Sequence, residues 1–278
     1  MQYAIQLNKI SKRFNQGYVL NEINFGVKTG EIFGFLGPSG SGKTTTLKII
    51  TNQLIPTSGE VLLWDKNHKE ISLEQIGILS DNSSVYERLT IKENLMLFAR
   101  IHDVSIEEVD RLLKRIRLYE VKNKPVKTLS KGMKQRLLLA CSVIHKPKLL
   151  FLDEPTSSLD PTSMIEIQNL IKEINEQGTT IFLTTHNMYE ADSLCHRIAF
   201  LNGGEIIEVG SPAELKQKYR KNTLVVTLLD NSVHLIDLDT SEKYELVKWI
   251  EESKILTIKS DEPTIEDIFI ALTGRELV

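Results

Sequence analysis

A glycine-rich segment that ends in a lysine and a threonine has the composition of a phosphate-binding loop. Residues 37–44 read GPSGSGKT and fit the pattern G-x-x-x-x-G-K-[ST]. In such a loop, backbone N–H groups surround phosphate oxygens, the lysine contacts the outer phosphates and the hydroxyl binds Mg²⁺. Thr44 is therefore also a candidate magnesium ligand. The residues assigned to phosphate contacts are Gly37, Pro38, Ser39, Gly40, Ser41, Gly42, Lys43, Thr44 and Thr45.

Two adjacent carboxylates end an apolar run further along the chain, where LLFLDE closes with Asp153 and Glu154. At the end of a strand, one carboxylate can bind Mg²⁺ and the next can deprotonate an attacking water. Capping of the following helix is the structural alternative. His186 follows the apolar run TTIFLTT. Because parallel strands end at one edge of a sheet, His186 is expected to face the same phosphates, although a structural role is an equal alternative.

A second anion site is indicated by LSKGMKQRL at residues 129–137. Ser130 is a favourable N-cap, Gly132 lies in the first turn, and apolar residues follow at helical spacing. The unpaired N–H groups at such a helix start attract anions. The segment therefore predicts a further phosphate contact in a chain that already has a phosphate loop.

The elements that position these residues are those of an α/β fold. Strand patterns precede the phosphate loop, whereas residues 84–146 show helical patterns without a strand signal. The runs KLLFLDE and TTIFLTT are typical of central strands in a parallel sheet, joined by a crossover helix. RIAFLNGGEIIEVG then predicts a hairpin, and SPAE predicts a capped helix start.

The pattern changes again near Asn222, which divides the chain into two predicted domains. Residues 1–221 form the first domain, with a helical insertion at about 84–146. Residues 222–278 form a small α+β domain with a hairpin, a helix near 242–252, the strand KILTIK and a last helix.

Composition and charge exclude several classes of protein. A net charge of −3 gives no reason to expect a nucleic-acid partner. Cys141 and Cys195 form no metal pattern, and a reducing compartment is expected. The N-terminal residues do not predict a signal peptide, and no apolar run approaches the length of a membrane-spanning helix.

Taken together, over about residues 3–218, the motifs resemble those of the ATP-binding subunits of ABC transporters. The loop at 37–45 resembles the Walker A motif, LLFLDEP the Walker B motif and LSKGMKQR the signature sequence. SSLD at 157–160 resembles the D-loop, and TTH the switch histidine. Phe14 matches the aromatic residue that stacks on adenine, with Tyr18 as the second choice. The ending EPTIEDIFIALTGREL resembles subunits of ABC-2 type exporters, which handle drugs, antibiotics, peptides or polysaccharides.

The resemblance implies a P-loop NTPase fold: a RecA-like parallel sheet core, an antiparallel β subdomain and the helical insertion, with a small α+β appendage. It implies ATP and Mg²⁺ as cofactors. It also implies head-to-tail packing with a second ATPase subunit, as a homodimer or a heterodimer. Ser130 and the Gly132 N–H would then contact the partner's ATP, and Asp160 in the D-loop is assigned to nucleotide binding. A separate membrane-spanning permease subunit would hold the chain at the cytoplasmic face of the cell membrane.

Two positions depart from the family pattern. Lys131 replaces the first glycine of the usual Leu-Ser-Gly-Gly signature. Asp81 replaces a glutamine that touches Mg²⁺ and the attacking water and links to the membrane subunit. Aspartate offers a hard oxygen ligand, so Asp81 is assigned to the metal. It is shorter than glutamine, however, and it adds negative charge near the triphosphate.

Two other functions remain open at this stage. A soluble ABC-type ATPase of ribosome rescue, DNA repair or cofactor assembly is one alternative. Ribosome-rescue types usually carry two copies of the motifs, and DNA-repair types carry long coiled-coil or zinc insertions; this sequence has one copy and neither insertion. The other alternative is a nucleotide-gated binding module with little hydrolysis. Asp81 favours that reading, whereas the intact Glu154 and His186 argue against it.

Overall fold

The computed structural model describes residues 2–15, 17–80 and 83–274. The chain divides into two compact units, of which the first extends to Gly210 and the second begins at Ser211. In chain order the elements of the first unit are β1 (Tyr3–Phe14), β2 (Gly17–Lys28), β3 (Ile32–Leu36), α1 (Lys43–Ile50), β4 (Ser58–Leu63), β5 (Lys66–Asn67), β6 (Ile76–Leu79), α2 (Ile91–Ile101), α3 (Ile106–Arg115), α4 (Lys131–Val143), β7 (Leu149–Asp153), α5 (Pro161–Glu176), β8 (Thr180–Thr185), α6 (Met188–Leu194), β9 (Arg197–Asn202) and β10 (Glu205–Gly210).

A six-stranded sheet with the order β10-β9-β3-β8-β7-β6 forms the centre of the first unit. Its strands are parallel except β10, which forms an antiparallel hairpin with β9. Every residue of β3, β7 and β8 is buried, because these continuous apolar runs are covered on both faces of the sheet. Leu36 pairs with Thr185, and Asp153 pairs with Thr184, so the three strands end at the same edge.

A second, antiparallel sheet with the order β2-β1-β4-β5 packs on the first through aromatic side chains. The Phe25 ring from β2 stacks on Phe33 from β3 with a centroid separation of 5.3 Å. Phe25 also lies 6.0 Å from Phe182, a residue of β8. These rings belong to one buried core shared by the two sheets. That core fixes the position of the β1–β2 hairpin relative to the parallel sheet.

The predicted helical insertion is present as α2, α3 and α4. Each of these helices begins at a residue whose hydroxyl accepts a hydrogen bond from a backbone N–H: Thr90, Ser105 and Ser130 respectively. The predicted α/β fold, with its parallel core, antiparallel sheet and helical insertion, is confirmed. No helix in the described ranges is long and apolar enough to cross a membrane.

The second unit contains α7 (Pro212–Lys218), β11 (Thr223–Leu228), β12 (Val233–Asp237), α8 (Lys243–Glu251), β13 (Ile255–Ser260) and α9 (Ile265–Thr273). Its antiparallel sheet has the order β12-β11-β13, and its small core includes Val226, Ile236 and Leu246. Helix α7 packs against α9 and is grouped with this unit. The sequence places the boundary after residue 221, so sequence and structure assign α7 differently, because a contact between two distant helices leaves no local pattern.

Candidate active site

The loop between β3 and α1 contains glycines at positions that do not accommodate a side chain. A Cβ on Gly37 would lie 2.2 Å from the Leu201 carbonyl oxygen, and Gly42 has a φ of 111°. Gly42 is the N-cap of α1 and contributes no side-chain hydrogen bond, so the first N–H groups of the helix stay available to an anion. Ser41 Oγ is buried without a hydrogen-bonding partner in the described part of the chain. The loop therefore has the properties of a phosphate cradle.

The Lys43 ammonium group lies inside this loop. Its Nζ donates to the carbonyl oxygens of Gly37 at 2.7 Å and Pro38 at 3.1 Å. Nζ is also 3.6 Å from Glu154 Oε1. Burial lowers the pKa of Lys43, and the carboxylate of Glu154 opposes that effect. The Lys43 ammonium group thus bonds two neutral carbonyl oxygens at the place where phosphate oxygens are expected.

Asp153 ends β7 with a carboxylate that is only 3% exposed. Thr44 Oγ1 donates to Asp153 Oδ2 at 3.1 Å, and the Thr184 hydroxyl donates to the other carboxylate oxygen. No cluster of three or more His, Cys, Asp or Glu side chains capable of holding a metal occurs in the described ranges. Mg²⁺ usually takes one or two protein oxygens together with substrate phosphates. The Thr44 and Asp153 oxygens fit that kind of site.

Glu154 directs its carboxylate between two other predicted catalytic residues. Its backbone φ is 50°, which is uncommon for a residue with a side chain. The Glu154 N–H donates to the Thr184 carbonyl oxygen at 3.0 Å, which fixes this conformation. Glu154 Oε2 lies 2.8 Å from His186 Nδ1, and Oε1 faces Lys43. Strained backbone at such a residue is typical of functional sites. The structure thus brings Lys43, Glu154 and His186 together.

The signature segment lies at the start of α4. Ser130 is exposed, and its Oγ accepts a hydrogen bond from the Met133 N–H at 3.2 Å. Its hydroxyl hydrogen can still donate to another group. A Cβ on Gly132 would lie 2.2 Å from Ser163 Oγ, so the first turns of α4 and α5 are in contact. Asp160 caps α5 by accepting from Ser163, which lowers the pKa of Asp160. Contacts of these residues with a partner's nucleotide stay a prediction.

Gly132 should not tolerate a methyl group, because the added Cβ would overlap Ser163. We expect Gly132→Ala to lower the free energy of unfolding by about 1–3 kcal/mol, the usual range for overpacking. Adding Ser163→Gly removes the crowding atoms, so the double variant should be more stable than Gly132→Ala. Urea unfolding of the wild type, both single variants and the double variant measures this coupling. Strictly additive effects would show that the contact with Ser163 is not responsible.

The two candidate adenine-stacking residues lie near the turn of the β1–β2 hairpin. The rings of Phe14 and Tyr18 are 46% and 59% exposed. The Val19 carbonyl oxygen, next to Tyr18, lies 3.1 Å from the position that a Cβ on Gly42 would take. The hairpin therefore borders the phosphate loop, and both residues are exposed beside it. Asp81, which the sequence assigns to the metal, lies outside the described residues.

We expect Phe14→Ala to weaken ATP binding, whereas Tyr18→Ala should have little effect. Loss of stacking on one base costs about 1–3 kcal/mol, which is roughly a 5- to 150-fold change in Kd. Equilibrium binding of ATP to both variants measures the difference. Inorganic tripolyphosphate is the matched control ligand, because it has no base and should bind both variants equally well. Equal ATP affinity in the wild type and Phe14→Ala would remove Phe14 from the site.

Sequence reasoning missed Thr184 as a site residue. Its hydroxyl donates to Asp153, and its carbonyl oxygen accepts from the Glu154 N–H, so it orients both carboxylates. The signal available in the sequence is weak: a threonine near the end of an apolar run, one strand away from the carboxylates. Only the parallel pairing of Asp153 with Thr184 gives that threonine its importance.

Sequence comparison shows which known proteins the chain resembles. Residues 20–157 match the sequence model of the ABC transporter family. The fluoroquinolones export ATP-binding protein MT2762 of Mycobacterium tuberculosis (strain CDC 1551 / Oshkosh) is 38% identical, over 92% of this chain and 87% of that protein. The bacitracin transport ATP-binding protein BcrA of Enterococcus faecalis is 31% identical, over 99% and 97% respectively.

A solved structure shows the same fold. The ATP-binding cassette MJ0796, a dimer in a post-hydrolysis state with ADP and phosphate, superimposes with a TM-score of 0.66. It is 28% identical in sequence, over 74% of this chain and 98% of that one. The P-loop NTPase fold and the ATPase activity predicted from the motifs are thereby confirmed. The chain belongs to the ABC transporter family, as one of its ATP-binding subunits.

Proposed function

We propose that this chain hydrolyses ATP with Mg²⁺ to power an exporter whose membrane-spanning permease is a separate subunit. The observation that carries the proposal is the Glu154 carboxylate, held between Lys43 and His186 at the end of the parallel strands. Relatives named for the export of fluoroquinolones and the transport of bacitracin support a cargo of the drug or antibiotic class. Peptides and polysaccharides are the further cargo classes that the family resemblance allows.

The chemistry follows from the positions of the side chains. Lys43 would contact the outer phosphates of ATP, and the N–H groups at the start of α1 would bind their oxygens. Thr44, Asp153 and Asp81 would hold Mg²⁺, which when bound neutralises charge on the phosphate oxygens. Glu154 would accept a proton from the attacking water. His186 contacts the same carboxylate and is in place to hold it and to stabilise charge on the phosphate.

We further propose that two ATPase subunits pack head to tail, as a homodimer or a heterodimer. Ser130, Gly132 and Asp160 would then contact the ATP that the partner's phosphate loop holds. Binding of ATP closes this dimer and hydrolysis reopens it, which passes motion to the permease. Such an assembly would place the chain at the cytoplasmic face of the cell membrane.

Two measurements test this function. The purified chain should hydrolyse ATP, and removal of Mg²⁺ by a chelator should stop the reaction. A tagged chain, isolated from detergent-solubilised membranes of cells that produce it, should bring down a membrane-spanning protein in a fixed ratio. Recovery only with ribosomal or DNA-repair proteins would instead support a soluble ABC-type ATPase. ATP binding without any hydrolysis, even with the membrane partner, would support a nucleotide-gated binding module.

Asp81 should take part in magnesium binding, although it is an aspartate where the family usually has a glutamine. We expect Asp81→Ala to raise the Mg²⁺ concentration needed for half-maximal hydrolysis and to lower turnover. Asp81→Gln restores the usual family residue and should keep or increase turnover, because catalytic positioning is sensitive to displacements of about 1 Å. A Mg²⁺ titration of steady-state hydrolysis measures both variants, with metal-free ATP affinity as the control. An unchanged Mg²⁺ midpoint and turnover in Asp81→Ala would place Asp81 outside the metal shell.

A further inference from the structure

Glu190 is a carboxyl group that the proposed chemistry does not use and that the protein buries completely. It lies on α6, one helical turn after His186, and it is 0% exposed. No ion pair involves its carboxyl group among the described residues. An ionised carboxylate is almost never buried in this way without a charged partner. The buried acid close to the catalytic residues therefore requires an explanation.

The Glu190 side chain forms a short hydrogen bond with Thr156. Thr156 Oγ1 lies 2.7 Å from Glu190 Oε1, whereas Oε2 has no hydrogen-bonding partner in the described part of the chain. Burial raises the pKa of Glu190, and the Glu154 carboxylate adds to that effect. Hydrogen bonds with Thr156 and Thr185 and the nearby His186 oppose it. Burial therefore favours the protonated, uncharged form of this carboxyl group.

Helix capping does not account for this side chain. Asn187 is the N-cap of α6, and its Oδ1 accepts from the Glu190 backbone N–H at 3.1 Å. At the start of α6, Glu190 therefore contributes its backbone N–H and not its carboxyl group. Its carboxyl group points instead to the segment that follows Glu154.

Thr156 belongs to the turn that joins Glu154 to Asp160. The Ser157 N–H donates to the Glu154 carbonyl oxygen at 3.1 Å, and the Leu159 N–H donates to the Thr156 carbonyl oxygen at 3.2 Å. From α4, Gln135 Nε2 donates to the Pro155 carbonyl oxygen at 2.8 Å. Two side chains from different helices, Gln135 and Glu190, therefore hold the same turn.

We propose that Glu190 is a positioning residue for ATP hydrolysis, which acts by bonding Thr156 and so fixing the turn between Glu154 and Asp160. The turn begins at Glu154, whose backbone φ is 50°, and ends at Asp160, the N-cap of α5. Because Glu190 is 0% exposed, it acts through Thr156 and not by contact with the nucleotide. This inference rests on the proposed roles of Glu154 and Asp160.

The proposal is tested by removing either partner of the hydrogen bond between Thr156 and Glu190. We expect Glu190→Ala and Thr156→Val each to lower kcat about 10- to 100-fold, because small displacements of a catalytic group have effects of that size. KM for ATP should change little. The double variant should be no slower than the slower single variant, since both changes remove one interaction. Glu190→Gln should keep most of the activity, because its amide oxygen can accept from Thr156 without adding charge.

Tyr189→Ala is the matched control, because Tyr189 precedes Glu190 on α6 and is 74% exposed. Its kcat should equal that of the wild type. Thermal unfolding and ATP binding show which variants are folded. If Glu190→Ala does not fold, the nearly isosteric Thr156→Val carries the test.

Three outcomes would overturn the proposal: wild-type kcat in folded Glu190→Ala or Thr156→Val, equal losses in Glu190→Gln and Glu190→Ala, or multiplicative losses in the double variant. Glu154→Gln in the same assay separates this inference from the proposed function. If Glu154→Gln keeps full activity, the catalytic assignment itself is wrong. If Glu154→Gln is inactive while folded Glu190 and Thr156 variants are normal, only the positioning role is wrong.

Discussion

A Glu154→Gln variant should bind ATP as tightly as the wild type and hydrolyse it about 10²- to 10⁴-fold more slowly, the usual contribution of a general base. The amide keeps the size and shape of the carboxylate, but it cannot accept the proton of the attacking water. It also weakens the pairing with Lys43 and His186, both of which contact the carboxylate. Equilibrium ATP binding and a phosphate-release assay measure the two effects separately.

Because this variant retains ATP, it should accumulate the closed dimer. Sedimentation with Mg²⁺-ATP should show a species of twice the monomer mass, which disappears on removal of ATP. Adding Ser130→Arg should abolish that dimer, since the exposed Ser130 hydroxyl is predicted to face the partner's phosphate. Ser105→Arg is the matched control: Ser105 is an exposed N-cap of α3, so the change removes a similar helix cap away from the predicted contact.

Two results would contradict the dimer hypothesis. One is a Glu154→Gln protein that binds ATP and remains monomeric at every protein concentration tested. The other is a dimer that Ser130→Arg and Ser105→Arg weaken equally, because the signature segment would then have no special place in the interface.

Replacement of Lys43 by alanine should remove most of the ATP affinity. A hydrogen bond to a charged group contributes about 1.5–3 kcal/mol, which corresponds to a roughly 10- to 150-fold increase in Kd. The loss of the cation also leaves the carbonyl oxygens of Gly37 and Pro38 without the donor that they have in the structure. Isothermal titration with ATP in the presence of Mg²⁺ measures the change, and hydrolysis at saturating ATP should fall as well.

Lys48→Ala provides the comparison for this variant. Lys48 lies in the last turn of the same helix, so its removal changes the net charge equally without changing the phosphate loop. ATP affinity should be near that of the wild type. If Lys43→Ala and Lys48→Ala bind ATP alike, the Lys43 ammonium does not contact the phosphates, and the loop would bind them through backbone N–H groups alone.

Much of the fold could be predicted from local signals in the sequence. The continuous apolar runs of β7 and β8 indicate strands buried on both faces, and the structure has every residue of both strands buried. The SPAE segment predicts a capping box with proline at the first helical position, and α7 begins with that arrangement. These features were accessible because neighbouring residues determine them.

Features that depend on packing between distant segments could not be predicted. The sequence gives Gly132 a role toward a partner's phosphate, but it does not reveal that Ser163 fills the space beside it. The bonds of Thr184 to Asp153 and of Glu190 to Thr156 join different strands and helices. The grouping of α7 with the second unit is of the same kind. Each depends on tertiary contacts that no local pattern encodes.

The left-handed backbone of Glu154 has a consequence for protein engineering. Holding a residue with a side chain in that conformation costs about 1–2 kcal/mol, out of a total stability of about 5–15 kcal/mol for a typical protein. Ser253 has a similar φ of 51° just after α8, at a position where glycine is the preferred residue. Replacing Ser253 by glycine would relieve its backbone strain and leave the active site unchanged. Replacing Glu154 by glycine would relieve the same kind of strain, but it would remove the catalytic carboxylate. Stabilised forms of this ATPase should therefore be sought among strained residues away from Glu154.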